Sequence, residues 1–254
     1  MIDSHCHLYL PEFDEDRKMV LERGIKSGVV RYLLPAIDSE TTVAMLQMAD
    51  EFSEICFPMA GLHPCSVKEN FEAELDMVDQ LLKQRKFIAI GETGLDYYWD
   101  MTFAQQQVRA LQWQAEKALE YDLPIVLHTR NATRATIEVI QPFISKGLRG
   151  VFHCFGGSIE EAKEIIDMGF YMGIGGVVTY KNGGLDRVLP EIGFNNIILE
   201  TDAPYLAPVP FRGKRNESSF LTYIAEKIAS IMGATADEVK AITTLNARKI
   251  FDIK

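Results

Sequence analysis

The chain has 254 residues, with 26 Lys and Arg against 36 Asp and Glu, a formal net charge of −10, and a hydrophobic share of 47%. The length fits one large α/β unit with a full core, and the acidic balance excludes a protein that coats nucleic acid with a broad basic face, because phosphate neutralisation drives such binding. Cys6, Cys56, Cys65 and Cys154 form no CxxC pair, the N-terminus lacks a basic-then-apolar leader, and no apolar run approaches the roughly 20 residues that span a bilayer, so a soluble cytoplasmic protein without a disulfide framework is expected.

In chain order, short β-rich runs fall near 1–7, 29–37, 55–62, 87–92, 124–129, 149–154, 170–178 and 196–201. Amphipathic stretches at 14–27, 41–52, 72–84, 103–121 and 159–168 alternate with them, and two helices near 217–232 and 236–251 end the chain. Strand–helix alternation predicts parallel strands joined by helical crossovers. The expected fold is α/β, a single (β/α)8 TIM-like barrel with extra C-terminal helices, and a doubly wound open sheet is the rival. No linker, repeat or low-complexity tract divides the chain, which predicts one hydrolase-type domain over 1–254.

The histidines carry the chemistry. His5, His7, His63, His128 and His153 all sit at or just past the C-terminal end of a predicted strand, where barrel enzymes build active sites. A lone histidine there is commonly a satisfied core residue; five in five is not. On the first strand, alternation puts His5 and His7 on one face about 7 Å apart, with Ile2, Cys6 and Leu8 on the other, so Cys6 is not expected to be a ligand. The same rule groups Ile88 and Ile90 with Glu92, Val126 with His128, Val151 with His153, and Glu200 with Asp202. The glycines of Gly91-Glu92-Thr93-Gly94 suit a tight turn off the strand, and Glu92 or Asp202 could instead cap the helix that follows. Four histidines and two carboxylates from five strands make a site for two divalent cations, Mg, Mn or Zn, that activate water and stabilise charge on the attacked and leaving oxygens. Asp3 and Glu200 also fall on the inward face, as candidates to orient ligand histidines.

The motifs DSHCHL (3–8), GLHP (61–64), GETGLDYY (91–98), HTR (128–130), FHCFGGS (152–158), ETDAPYL (200–206) and PVPFRGKRNE (208–217) resemble, in order and over nearly the whole chain, the TatD-type deoxyribonucleases of the metal-dependent amidohydrolase superfamily. The resemblance implies a divalent-metal phosphodiesterase acting on DNA, typically a 3′→5′ exonuclease on single strands or 3′ ends. It implies His5, His7, Glu92, His128, His153 and Asp202 as metal ligands, with Glu92 bridging, and His63 as a histidine associated with substrate phosphate. Two positions depart from the pattern: Asn131 stands where an acidic residue is common, and Ser218 and Ser219 follow the RGKRNE segment in place of Pro.

Asp202, on the last strand, is expected to accept the proton of the attacking water, with Asp202 and Glu92 the catalytic carboxylates. Arg130 shares the face of His128, and Arg212, Lys214 and Arg215 lie in a Pro/Gly loop, so these cations are candidates for phosphate. Tyr97, Tyr98 and Trp99 could stack on bases or simply wall the pocket. Two other functions compete: an esterase of the same superfamily, such as a D-aminoacyl-tRNA deacylase, and a non-catalytic metal-binding protein. The absence of Lys over 88–92 argues against a carbamylated-lysine bridge.

Overall fold

Eight β-branched, Leu-rich or glycine-spaced segments form parallel strands because each is followed by an amphipathic helix that carries the chain back to the same end. The computed structural model describes residues 1–253. The strands are β1 (Ile2–Asp3), β2 (Arg31–Leu34), β3 (Cys56–Pro58), β4 (Ile90–Asp96), β5 (Ile125–Arg130), β6 (Gly150–Phe152), β7 (Tyr171–Ile174) and β8 (Ile197–Leu199). Helices α1 (Arg17–Lys26), α2 (Ser39–Glu51), α3 (Phe71–Gln84), α4 (Ala104–Glu120), α5 (Thr133–Ile144), α6 (Ile159–Asp167), α7 (Leu185–Ile192) and α8 (Leu221–Met232) follow the eight strands in turn. A ninth helix, α9 (Ala236–Phe251), comes last.

Regular pairing gives two sheets, β1-β2-β3 and β4 to β8 in order. Single parallel bridges, Ala60 to Ile90 and Cys6 to Ala203, join their edges and close the ring. The second seam is reinforced by Ser4 N–H to Leu199 O at 3.1 Å, Asp202 N–H to His5 O at 2.9 Å and His7 N–H to Ala203 O at 2.7 Å. The expected closed barrel is therefore the observed one. Of the two C-terminal helices, α8 takes the eighth place in the ring and α9 is the addition.

The interior shows why. Ile2, Leu33, Met59, Ala89, Val126, Val151, Tyr171 and Ile198, one from each strand or its immediate edge, form one buried layer. Ala247, Ile250, Phe251 and Ile253, in α9 and just past it, belong to the same cluster and plug the barrel beneath that layer. Capping explains where α9 begins: Thr235 and Glu238 form a reciprocal capping box, and Gly233, at φ 66°, ends α8 just before it. A second, larger core lies between strands and helices and holds the alternate positions, such as Cys6, Leu34, Leu127, Phe152 and Leu199.

This layer corrects two assignments of facing. Ile2 lies inside the barrel and Asp3 does not: Asp3 accepts from Thr201 N at 2.9 Å and Thr201 Oγ1 at 2.7 Å, away from the histidines. Alternation breaks at Ser4, beyond the end of β1, so His5 comes inward three residues after Ile2 rather than two. Likewise Ala89 is the inner residue before β4 and Ile90 belongs to the outer core. The pairing of β4 with β5 shifts register between Ile90 and Thr93, and that extra residue turns Glu92 inward. The expected partners Val126/His128, Val151/His153 and Ile198/Glu200/Asp202 keep regular alternation.

Candidate metal centre

One step above the apolar layer, the inner positions become polar. His5, His7, Glu92 and His153 are buried, and only the mouth-side edges of His63, His128 and Asp202 are partly open, at 14–16% of the side chain. Glu200 needs room there. Gly173 supplies it, because a Cβ at that position would overlap the Glu200 carboxylate. Gly94, at φ 135°, similarly lets β4 lie directly against the His128 backbone.

Glu92 is the hub. Its Oε2 lies 3.0 Å from His5 Nε2 and 3.6 Å from His7 Nε2. Its Oε1 lies 2.8 Å from His128 Nδ1, 3.1 Å from His153 Nε2 and 3.3 Å from His63 Nε2. Asp202 Oδ1 closes the first side, 3.8 Å from His5 and 3.6 Å from His7. The six side chains expected to be ligands thus meet at one spot, with the two oxygens of Glu92 facing two different groups of imidazoles. Donor atoms of His5, His7 and Glu92, and of His5, His153 and Asp202, each fall within 4.8 Å of one another.

His63, Glu92 and His128 make a third such group, but hydrogen bonding sets His63 apart. The Cys65 backbone N–H donates to His63 Nδ1 at 3.1 Å. That nitrogen is therefore the acceptor of the neutral ring, and the proton sits on Nε2, beside Glu92 Oε1. Burial lowers the His63 pKa and keeps the ring neutral. In that neutral form His63 Nε2 presents a hydrogen-bond donor rather than a lone pair.

The electrostatics agree with a cation site. Burial raises the Glu92 pKa, but His153, His63 and His5 and the bond to His128 outweigh it and hold the carboxyl well below its ordinary range. Burial likewise opposes ionisation of Asp202, and the surrounding imidazoles of His7, His153 and His5 keep it ionised. Among the described residues neither carboxylate pairs with Lys or Arg. Burial lowers the pKa of His153, yet Glu92 and Glu200 more than reverse this. Carboxylates that strengthen an imidazole's hold on a proton strengthen its hold on a metal ion, with which the proton competes. A buried and a partly open carboxylate ringed by imidazole nitrogens are a donor set that fits divalent cations.

Around the centre lies a cavity of about 850 Å³ lined by, among others, Trp99, Arg130, Tyr180, Tyr205, Arg212 and Lys214. The Arg130 guanidinium stands 4.0 Å from the Tyr98 ring centroid and 5.1 Å from that of Trp99, and Arg212 lies over Tyr180 at 4.5 Å. Tyr97, by contrast, packs against the core. Arg215 is also turned away: it donates to Glu12 O and pairs with Asp16, pinning its loop to the segment before α1. Asn131 sits at φ 53°, a left-handed position that Asn tolerates, and Ser218–Phe220 form a short 3-10 turn leading into α8.

Three contacts escaped the sequence reading. Asp96 accepts from His128 Nε2 at 2.9 Å and from the backbone N–H groups of Tyr98 and Trp99. Strand alternation from Glu92 reaches Asp96, so that signal was present. Glu200 was expected to orient a histidine, and its Oε1 lies 3.4 Å from His153 Nδ1 while accepting the Cys154 N–H at 2.5 Å, which was not foreseen. Asn216 is fully buried and donates from Nδ2 to Thr201 O and Tyr205 O, both at 2.7 Å, clasping the loop that carries Asp202. Asn216→Ala leaves two backbone carbonyls unpaired, with an expected loss of about 2–4 kcal/mol in denaturant unfolding.

A family model described as TatD related DNase matches residues 2–252. The chain belongs to the TatD-related DNase family. This TatD-family chain is 37% identical over 254 residues to the metal-dependent hydrolase YabD of Bacillus subtilis, covering 100% of this chain and 99% of YabD. It is 33% identical over 259 residues to the 3′-5′ ssDNA/RNA exonuclease TatD of Salmonella typhimurium, with 100% and 99% covered. The crystal structure of YJJV, a TatD homologue from Escherichia coli K12, superposes with a TM-score of 0.94 at 28% identity, covering 100% of this chain and 98% of that one. Among the described residues no helix is long and apolar enough to cross a membrane.

Proposed function

We propose that this TatD-family protein is a metal-dependent hydrolase of phosphodiester bonds in single-stranded DNA, removing nucleotides from 3′ ends. In this reading His5, His7, Glu92, His128, His153 and Asp202 would hold two divalent cations, with Glu92 shared between them. The observation that carries it is the division of the Glu92 oxygens between two sets of imidazoles. Bound there, divalent cations supply Lewis-acid charge for phosphoryl oxygens and acidify water towards neutrality.

The chain's own groups do the rest. Asp202, at the mouth and ionised, receives the proton of the attacking water. His63 donates its Nε2–H to a phosphate oxygen. Arg130, Arg212 and Lys214 place local positive charge at the mouth of an otherwise acidic chain, which is how a protein of net charge −10 can take a polyanion. Trp99, 66% exposed, offers a face for a base. Arg212→Ala is expected to raise KM about tenfold with kcat nearly unchanged, since one charge-assisted phosphate contact contributes about 1.5–3 kcal/mol; an unchanged KM in steady-state kinetics removes Arg212 from substrate binding.

The test is a chelator-stripped protein assayed on 3′- and 5′-labelled single-stranded DNA, with Mg, Mn and Zn restored separately. Expected are no turnover without metal, immediate release of label as mononucleotide from the 3′-labelled strand, and a shortening ladder from the 5′-labelled one. Full activity in chelator would overturn the metal assignment. An inert DNA strand beside rapid cleavage of an aminoacyl ester would overturn the substrate.

A further inference from the structure

We infer that Tyr9 is a positioning residue that fixes which ring nitrogen His7 offers to the metal centre. The inference rests on the reading of His7 as a ligand. His5, His7 and Tyr9 are spaced two apart at the end of the first strand segment, and Tyr9 is buried, at 1% exposure. Its hydroxyl oxygen lies 2.6 Å from Pro35 O and 2.9 Å from His7 Nδ1.

A phenol has one proton, and a carbonyl oxygen can only accept. The Tyr9 proton therefore goes to Pro35 O. The phenol oxygen is left as an acceptor, and His7 Nδ1 must carry a proton and donate it. In the neutral ring the lone pair is then on Nε2, which lies 3.6 Å from both Glu92 Oε2 and Asp202 Oδ1. A lone pair facing two carboxylate oxygens is repulsive by itself and becomes favourable around a cation. The opposite tautomer would aim an N–H at Glu92 and Asp202 and leave no lone pair there for an ion. Tyr9, tethered to the residue that follows β2, holds the ring against that alternative.

His128 shows the same logic with the nitrogens exchanged. Asp96 takes its Nε2, so Nδ1 faces Glu92. For His7 and His128, outer hydrogen bonds thus decide which nitrogen looks inward. Tyr9 does this without adding charge, unlike Asp96.

The experiment uses the full chain and zinc alone as the probe, in competition with a chromophoric chelator, beside imidazole ¹⁵N spectra of the metal-free protein. Tyr9→Phe keeps the ring and removes the hydroxyl. Expected are zinc binding weakened about tenfold to a hundredfold, and a His7 ring that changes from Nδ1-protonated to a tautomer mixture. His7→Ala is the reference: if it binds zinc as the parent does, the ligand reading itself fails. If His7→Ala weakens zinc while Tyr9→Phe retains parental affinity or an unchanged tautomer, Tyr9 has no positioning role. An unprotonated His7 Nδ1 in the parent spectrum overturns the inference without any variant.

Discussion

Glu92→Gln is expected to lower kcat/KM for phosphodiester hydrolysis by about a thousandfold or more, a loss of roughly 4 kcal/mol in transition-state stabilisation. Gln has the shape of Glu but neither its charge nor its second acceptor oxygen. At this position both oxygens are used, one towards His5 and His7 and the other towards His128, His153 and His63. An amide presents an NH2 to one of these groups, where it repels a cation, and removes the anion that holds both groups together. Metal content measured by atomic emission should therefore fall with activity. A Glu92→Gln protein with parental metal content and parental rate would show that Glu92 does not bridge.

Asp202→Asn should separate metal holding from proton transfer. The amide carbonyl can still face His5 and His7, and five other donors remain, so metal content should stay near that of the parent. An amide cannot take the proton of water, and kcat should drop by about 10²–10⁴. The backbone at Asp202 lies at φ 58°, in the left-handed region that both Asp and Asn tolerate, and Asn216 continues to clasp the loop. Folding should accordingly be unaffected, as thermal unfolding can establish. Hydrolysis at the parental rate would remove Asp202 from proton transfer and leave it as a ligand alone.

Much of this site was legible in the residues. His128, His153 and Asp202 follow Val126, Val151 and Ile198 by two or four positions on regular strands, so alternation carried them to the barrel's interior. His5 and Glu92 also come to the centre, but not by the route that alternation suggested. For each, an irregularity adds one residue between the inner apolar position and the candidate ligand. Parity counted from Ile90 therefore reached the right facing for Glu92 from a residue that itself faces outward. The cationic loop divided in a way that composition could not reveal. Arg212 and Lys214 line the pocket, while Arg215, one residue on, is spent on Asp16.

The sequence by itself determined the strand–helix order, the closed barrel and the gathering of histidines at one end, because these follow from periodicity and from the position of residues along a strand, both local properties. Tertiary structure alone decided the facing of Ile2 and Asp3, the register shift that presents Glu92, and the nitrogens that His7 and His128 turn inward. Those depend on which neighbouring backbone a strand pairs with and on partners far along the chain, such as Pro35 for Tyr9 and Asp96 for His128. A hydrogen bond of that kind is fixed by distance in space, which separation in sequence does not encode.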